Sequence, residues 1–204
     1  MTRLFPMFVK LEGRRVLVVG AGKVGEAKIS TLLETGAQVK VIALKATEAV
    51  RDWASSGRIE FESRAFVAKD LQDAFVVVAA TSSAIVNELV FSEAQKRGVL
   101  CNVVDVPEQC DFFYPAVVNR GDLQIAVSTS GQSPSLAQRI RQQLEKQYGP
   151  GYADWVAELG ATRREVLRSR LSPEQKRELL QSFASREAFQ AAVEREPIKK
   201  GSAA

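Results

Sequence analysis

The sequence predicts an α/β chain: a doubly wound parallel sheet over residues 1–112, then a small α+β segment, then a helical end. Three observations carry this. The apolar run Val16-Leu17-Val18-Val19 enters a glycine-rich turn, Gly20-Ala21-Gly22-Lys23-Val24-Gly25, and leaves it in a helical pattern. Apolar strand-like runs then alternate with helical patterns as far as residue 104, the order that builds a parallel sheet. Beyond Asp111 the alternation stops, and two strand-like runs, 112–118 and 123–127, flank Asn119-Arg120-Gly121-Asp122, a turn that joins antiparallel strands.

Residues 4–11 form an apolar lead-in, with Phe5-Pro6-Met7-Phe8-Val9 suited to an extended segment packed on the sheet. Strand one starts at Arg15, and each glycine after it has a mechanical task. Gly20 makes the tight turn, Gly22 leaves the backbone open to a pyrophosphate at the positive end of the next helix, and Gly25 lets that helix approach the strand. Ile29, Leu32 and Leu33 give the helix an apolar face, Gly36 ends it, and 38–44 reads as strand two. A glycine turn inside a complete β-α-β unit favours a Rossmann-type dinucleotide site over a bare turn. A short helix over 47–57 holds Trp53, and 59–63 is strand three. The continuous apolar run 75–80 fits a parallel strand buried on both faces. A helix over 85–97 stops at Gly98, and 99–104 is strand five.

Ligands of such sheets collect beyond the carboxyl ends of the strands. Thr81-Ser82-Ser83 follows strand four and reads equally as hydroxyls for a cofactor or as a helix cap. Asn102-Val103-Val104-Asp105 closes strand five; from residues alone Asp105 reads first as a solvated turn aspartate ahead of Pro107, and second as a functional carboxylate. In Ser128-Thr129-Ser130-Gly131-Gln132-Ser133-Pro134, hydroxyls and a glycine precede a helix over 134–148, with Ser133 placed to cap it and Pro134 in its first turn. This loop reads equally as a capping device and as an anion site. The helix carries Leu136, Ala137, Ile140 and Leu144 on one face and Arg139, Arg141 and Lys146 elsewhere. A strand pair with one helix cannot bury its own faces, so a second copy is expected against it. From Gly149 the chain is helical, with Trp155, Val156 and Leu159 on one face. Ser172-Pro173-Glu174-Gln175 is a capping box before Leu179, Leu180 and Phe183, and Phe189 and Val193 belong to a last helix. The expected divisions are 1–112, 113–148, 149–196 and a disordered tail, 197–204.

Composition excludes several classes. With 46% hydrophobic residues and no apolar run of spanning length, the chain reads as a globular cytoplasmic protein without a membrane partner, and its start lacks a signal-peptide pattern. Cys101 and Cys110 make neither a disulfide framework nor a metal cluster and are expected as reduced thiols. With no histidine, acid-base chemistry must come from carboxylates, hydroxyls, lysine or water. The net charge of +4 is a mild excess, and no dense basic tract precedes Lys199-Lys200, so nucleic acid is not implied.

Five ordered blocks resemble the precorrin-2 dehydrogenase / sirohydrochlorin ferrochelatase family, which includes the N-terminal region of sirohaem synthase. They are Leu4-Phe5-Pro6-Met7-Phe8, Val18 to Val24 with Lys28 following, Cys101-Asn102-Val103-Val104-Asp105, Phe113-Tyr114-Pro115-Ala116, and Ser128 to Pro134 with Leu136-Ala137. The resemblance implies a homodimer with an NAD-binding domain, a dimerisation domain over 113–148, and oxidation of precorrin-2 to sirohydrochlorin with NAD⁺. In some members insertion of Fe²⁺ follows, and Co²⁺ is a related substrate. The glycine turn and the loop after strand four make Gly20, Gly22, Lys23, Val24, Gly25, Thr81 and Ser82 the expected cofactor contacts, and the resemblance places the family's functional aspartate on Asp105, reversing the residue-only preference. The substrate's eight carboxylates make Asn102, Arg120, Ser128, Thr129, Ser130, Gly131, Ser133 and Arg139 the expected docking groups, with Arg141 beside them; no metal ligand is assigned. Three positions depart from the family pattern. Gly25 replaces a frequent alanine, Val106 replaces a frequent second acid, and strand two ends in Ile42-Ala43-Leu44-Lys45 with no carboxylate for the ribose, so NAD rather than NADP rests on the resemblance. Two other readings stand beside it: a dehydrogenase whose product goes to a separate chelatase, and a non-catalytic NAD-binding redox sensor. The sensor gives Asp105 and the hydroxyl-rich loop no role.

Overall fold

The computed structural model describes residues 4–194, and the chain divides into two compact units, Met1–Tyr114 and Pro115–Ala204. In the first, β1 (Arg15–Ala21), α1 (Lys23–Leu33), β2 (Gln38–Ala46), α2 (Glu48–Ser55), β3 (Glu60–Glu62), β4 (Val76–Ala79), α3 (Ala84–Arg97) and β5 (Leu100–Val103) follow in order. The five strands are parallel and run β3-β2-β1-β4-β5 across the sheet. The apolar runs are continuous because successive side chains serve opposite faces. Val16, Val18, Val41 and Val78 meet Ile29 and Leu32 of α1 and Val50 of α2. Leu17, Val19, Ile42, Val77 and Cys101 meet Val90 and Ala94 of α3 and Leu71. Each such buried side chain contributes about 1.5–3 kcal/mol of transfer free energy. The sheet is the rigid platform on which the strand ends are held.

The lead-in is a correction. Phe5, Met7 and Phe8 are 83%, 61% and 69% exposed and do not pack on the sheet, while Leu11 alone of this stretch joins the core. Both faces are already covered by α1, α2 and α3, so no apolar face remains for it. Strand two also runs further than its sequence pattern, to Ala46, because the register slips opposite Gly20 and pairs Ala21 with Ala46.

In the second unit β6 (Ala116–Arg120) and β7 (Leu123–Val127) form an antiparallel hairpin closed by Gly121 and Asp122, with Arg120 opposite Leu123. Residues 112–115 are not strand, contrary to expectation: Phe112 and Tyr114 pack into the first unit's core, and Pro115 cannot donate to a ladder. α4 (Pro134–Gln147), α5 (Tyr152–Arg168), α6 (Pro173–Phe183) and α7 (Arg186–Glu194) follow. Tyr148, Tyr152, Trp155 and Phe189 form an aromatic cluster joining the end of α4 to α5 and α7. The expected capping box is present: Gln175 N–H donates to Ser172 Oγ at 3.2 Å and Ser172 N–H to Gln175 Oε1 at 2.9 Å. The Val193 side chain and the tail 197–204 lie outside the described residues.

Candidate functional site

The β1–α1 turn is closed on one side and open on the other. Gly20 has φ +104°, and a methyl there would lie 2.4 Å from the Ala80 carbonyl oxygen; one on Gly25 would lie 2.2 Å from that of Gly20. The turn is therefore wedged against the end of β4. Space in front of Gly22 is empty to 4 Å, and no side chain caps α1. The amides of Lys23 and Val24, on exposed residues, carry the positive helix end toward that space. Close beside them Glu26 Oε2 is enclosed with no hydrogen-bond partner among the described residues. An uncapped helix start with an open glycine suits the pyrophosphate of a dinucleotide. The end of β2 adds no carboxylate for a ribose, since Leu44 and Lys45 stand exposed there.

The structure separates the roles of the loop after β4. Ser83 Oγ accepts from Val86 N–H at 3.4 Å and caps α3. Thr81 Oγ donates to Asn87 Oδ1 at 2.7 Å, and Asn87 Nδ2 returns to the Thr81 carbonyl at 3.1 Å, which fixes the loop. Ser82 is exposed and its hydroxyl makes no hydrogen bond among the described residues.

Backbone bonds tie the ends of β1, β4 and β5 together: Ala80 N–H to Val19 O at 2.8 Å and Val104 N–H to Ala79 O at 3.0 Å. Immediately after β5, Asp105 has φ +62°, the left-handed region, which aspartate tolerates better than most residues but which still costs about 1 kcal/mol or more. It lines a pocket of about 160 Å³ with Lys28, Asn102, Val104, Cys110 and Tyr114, and it is the only carboxyl there. Asn102 is 7% exposed, and its amide nitrogen donates to Phe112 O at 2.8 Å and Cys110 Sγ at 3.3 Å, so it holds residues 110–112 against β5. The Cys110 thiol donates to Val103 O at 3.2 Å, and the Asp111 carboxylate receives Cys101 N–H at 2.8 Å. A pinned loop thus keeps Asp105 in its strained conformation.

Lys28 is the pocket's cation and was not among the site residues expected from sequence. It comes from α1, is half-buried, and sits with Nζ 3.5 Å from the centroid of the Tyr114 ring. Burial lowers its pKa from the ordinary lysine value, outweighing the opposing pull of Asp105 and Cys110. Burial pushes the Cys110 thiol up and the Tyr114 phenol up to about 12, which keeps both protonated at neutral pH. A sequence signal for Lys28 did exist: it lies three residues after Gly25 and four before Leu32, on the inward face of α1. Among the described residues no group of three or more His, Cys, Asp or Glu could hold a metal ion.

In the second unit the candidate residues are largely engaged with their own fold. Arg120 donates from Nε to Tyr148 O at 2.9 Å and from its terminal nitrogens to Asn119 O at 2.7 Å and Glu145 O at 3.2 Å, closing the C-terminal end of α4. Ser128 Oγ accepts from Ser130 N–H at 3.1 Å, Thr129 Oγ from Ser133 N–H at 3.1 Å, and Ser133 Oγ from Leu136 N–H at 3.3 Å, so the cap at α4 is made. Ser130 and Gly131 both have positive φ, 53° and 79°. Arg141 pairs with Glu145 at 2.7 Å, whereas Arg139 is exposed and makes no ion pair among the described residues.

With this geometry in hand, comparison with known proteins gives a consistent family. A family described as putative NAD(P)-binding matches residues 7–116, and one described as sirohaem biosynthesis protein central matches 120–147. Siroheme synthase 1 of Serratia proteamaculans is 39% identical over 167 residues, covering 82% of this chain and 35% of its own length. Siroheme synthase of Nitrosococcus oceani is 41% identical over 140 residues, covering 69% and 30%. The chain thus spans about a third of the length of these curated relatives. The solved structure of SirC, precorrin-2 dehydrogenase, superposes with a TM-score of 0.79 at 27% identity over 94% of this chain and 100% of that one. The doubly wound fold is shared with that structure, and among the described residues no helix is long and apolar enough to cross a membrane. The chain belongs to the NAD(P)-binding family of precorrin-2 dehydrogenases and sirohaem synthases.

Proposed function

We propose that this chain oxidises precorrin-2 to sirohydrochlorin with NAD⁺, Asp105 taking the proton. The observation that carries the reading is Asp105 itself: the only carboxyl in the pocket at the carboxyl end of β5, held in a strained backbone by a pinned loop. Oxidation removes a hydride and a proton from the macrocycle. The bound cofactor supplies the hydride acceptor at its nicotinamide. The open turn at Gly22 and the first amides of α1 bind the pyrophosphate, and Lys23, Val24 and Ser82 line its approach. With the thiol and phenol held protonated, Asp105 is the pocket group suited to receive a carbon-bound proton. Asp105 is exposed at the mouth of the pocket, where substrate can reach it, with Val104, Val106 and Tyr114 beside it.

A cytoplasmic homodimer is proposed, because the two-stranded β6–β7 sheet leaves Leu123, Ile125 and Val127 only half-buried in one chain. Ser130, Gly131 and Arg139, whose side chains or backbone are least engaged internally, are the second unit's proposed contacts to substrate carboxylates.

The test uses purified chain, NAD⁺ and precorrin-2, followed by NADH absorbance. Asp105→Asn, chosen because asparagine also tolerates positive φ, should lower kcat by about 10²-fold or more while leaving the Kd for NAD⁺ unchanged. Unchanged turnover in this variant would remove Asp105 from the chemistry, and absence of NADH with the wild-type chain would remove the activity. Sirohydrochlorin with Fe²⁺ or Co²⁺ under anaerobic conditions then reads the second step. A rate above the uncatalysed control extends the function to metal insertion; an equal rate confines it to oxidation.

A further inference from the structure

Lys28 presents a lysine ammonium to a small pocket in an arrangement that the proton transfer at Asp105 does not require. Its aliphatic stem is buried on the inward face of α1, its Nζ lies 3.5 Å from the Tyr114 ring centroid, and it makes no hydrogen bond or ion pair with any described residue. The cation–π contact fixes the ammonium's position without using up its three N–H donors. Lys40, also partly buried, instead reaches Glu60 and Glu62. A half-buried ammonium whose donors the fold leaves free is available to an anionic ligand that enters the pocket.

The pocket's size selects the ligand part. At about 160 Å³ and open on one side, it takes one short carboxylate arm while the ring stays outside it. Its charge selects the ligand's chemistry. A carboxylate entering a pocket that already contains Asp105 meets like charge, and Lys28 is the only cation among the lining residues that offsets it. Tyr114 and Phe113 supply flat apolar contact for the rest of the arm.

We infer that Lys28 is a substrate-docking residue, its ammonium receiving one carboxylate arm of the tetrapyrrole and so setting which edge of the macrocycle faces Asp105. This rests on the tetrapyrrole reading above and adds a named contact to it. Charge-assisted hydrogen bonds of this kind act on ligand affinity more than on a cofactor bound elsewhere along the sheet edge.

Two readouts test it in the full chain, on Lys28→Met, which keeps the stem against Tyr114, and Lys28→Arg, which keeps the charge. Lys28→Met should raise KM for precorrin-2 about tenfold or more, lower kcat by a smaller factor, and leave the Kd for NAD⁺ unchanged, with Lys28→Arg recovering most of the loss. Fluorescence titration with uroporphyrin, an octacarboxylate tetrapyrrole, should show the same weakening without turnover. An unchanged KM and uroporphyrin affinity in Lys28→Met overturns the inference, as does a fall in kcat with KM intact, which would place Lys28 in the proton transfer. Should Lys28→Met not fold, Lys28→Gln carries the same two readouts. If the wild-type chain makes no NADH, the dehydrogenase reading fails on its own, and the uroporphyrin titration still decides the role of Lys28.

Discussion

The two compact units use the same residue types to opposite ends. In residues 1–114, Lys28 and Asp105 reach the site pocket with their polar groups available, one over an aromatic ring and the other on a left-handed backbone. In residues 115–194, Arg120, Ser128, Thr129 and Ser133 have the chemistry of a docking site, yet their donors and acceptors close the ends of α4 and its preceding loop. A hydroxyl-rich loop before a helix is satisfied by the helix it starts. What distinguishes a site is a charged group whose partners the fold does not supply, at a place where the backbone is held out of its preferred conformation.

Substitutions in each unit test this difference. The largest effect is expected at the first unit's turn, where Gly20→Ala adds a methyl 2.4 Å from the Ala80 oxygen at φ +104°. Stability in urea should fall by about 3 kcal/mol or more, with loss of NAD⁺ binding. A variant within 1 kcal/mol of wild type would show that the turn is looser than its geometry. Next comes Arg120→Ala, which frees the end of α4 and should cost about 2 kcal/mol in the same assay. A rise in KM for precorrin-2 without loss of stability would instead make Arg120 a docking group and erase the contrast between the units.

A third variant asks what an engaged charge in the first unit contributes. Asp70 is 5% exposed at its side chain and accepts from both terminal nitrogens of Arg64, at 2.7 and 2.5 Å, and from Val67 N–H at 2.9 Å. Burial opposes its ionisation, but the Arg64 and Val67 bonds prevail and hold its pKa below the ordinary value. Because the folded value is depressed, its contribution is present above the unfolded value of about 3.9 and is lost as pH falls through the folded value. Asp70→Asn should therefore cost about 1–2 kcal/mol at neutral pH and flatten the acid limb of the stability profile. Parallel acid limbs for the two proteins would count against the pair. The smallest effect is Ser133→Ala, about 1 kcal/mol of stability through the lost cap at α4. If turnover falls instead while stability holds, the loop is an anion site after all.

The sequence exposed what depends on backbone geometry and hid what depends on enclosure. Gly20 and Gly25 announced themselves because no other residue fits such contacts, and the parallel sheet followed from the alternation of strand-like runs with helical patterns and from the continuous apolar run 75–80. The caps by Ser83, Ser133 and Ser172 were readable because capping is local in the chain. The lead-in misled, since Phe5 and Phe8 look like core residues, and only the packed helices reveal that the sheet has no face left for them. Lys28 follows the glycine turn, but nothing local in the chain marks it as lining a pocket. A lysine on a helix reads as solvated until Tyr114, 86 positions later, is seen to return beside it. Arg120 reads from sequence as a docking charge for the same reason: Tyr148 and Glu145 become its acceptors only once the hairpin and α4 are folded together.

The left-handed backbone at Asp105 sets stability and selection against each other at one position. Glycine or asparagine there would relax the main chain, so such replacements should leave the protein as sturdy as before or sturdier, while removing the carboxylate on which the proposed reaction depends. A lineage released from the need for this chemistry would have no folding reason to keep an acid at 105. Retention of aspartate across related chains would then be a record of use, separable from the demands of the fold, and its loss to glycine would mark where the activity was abandoned and the scaffold kept.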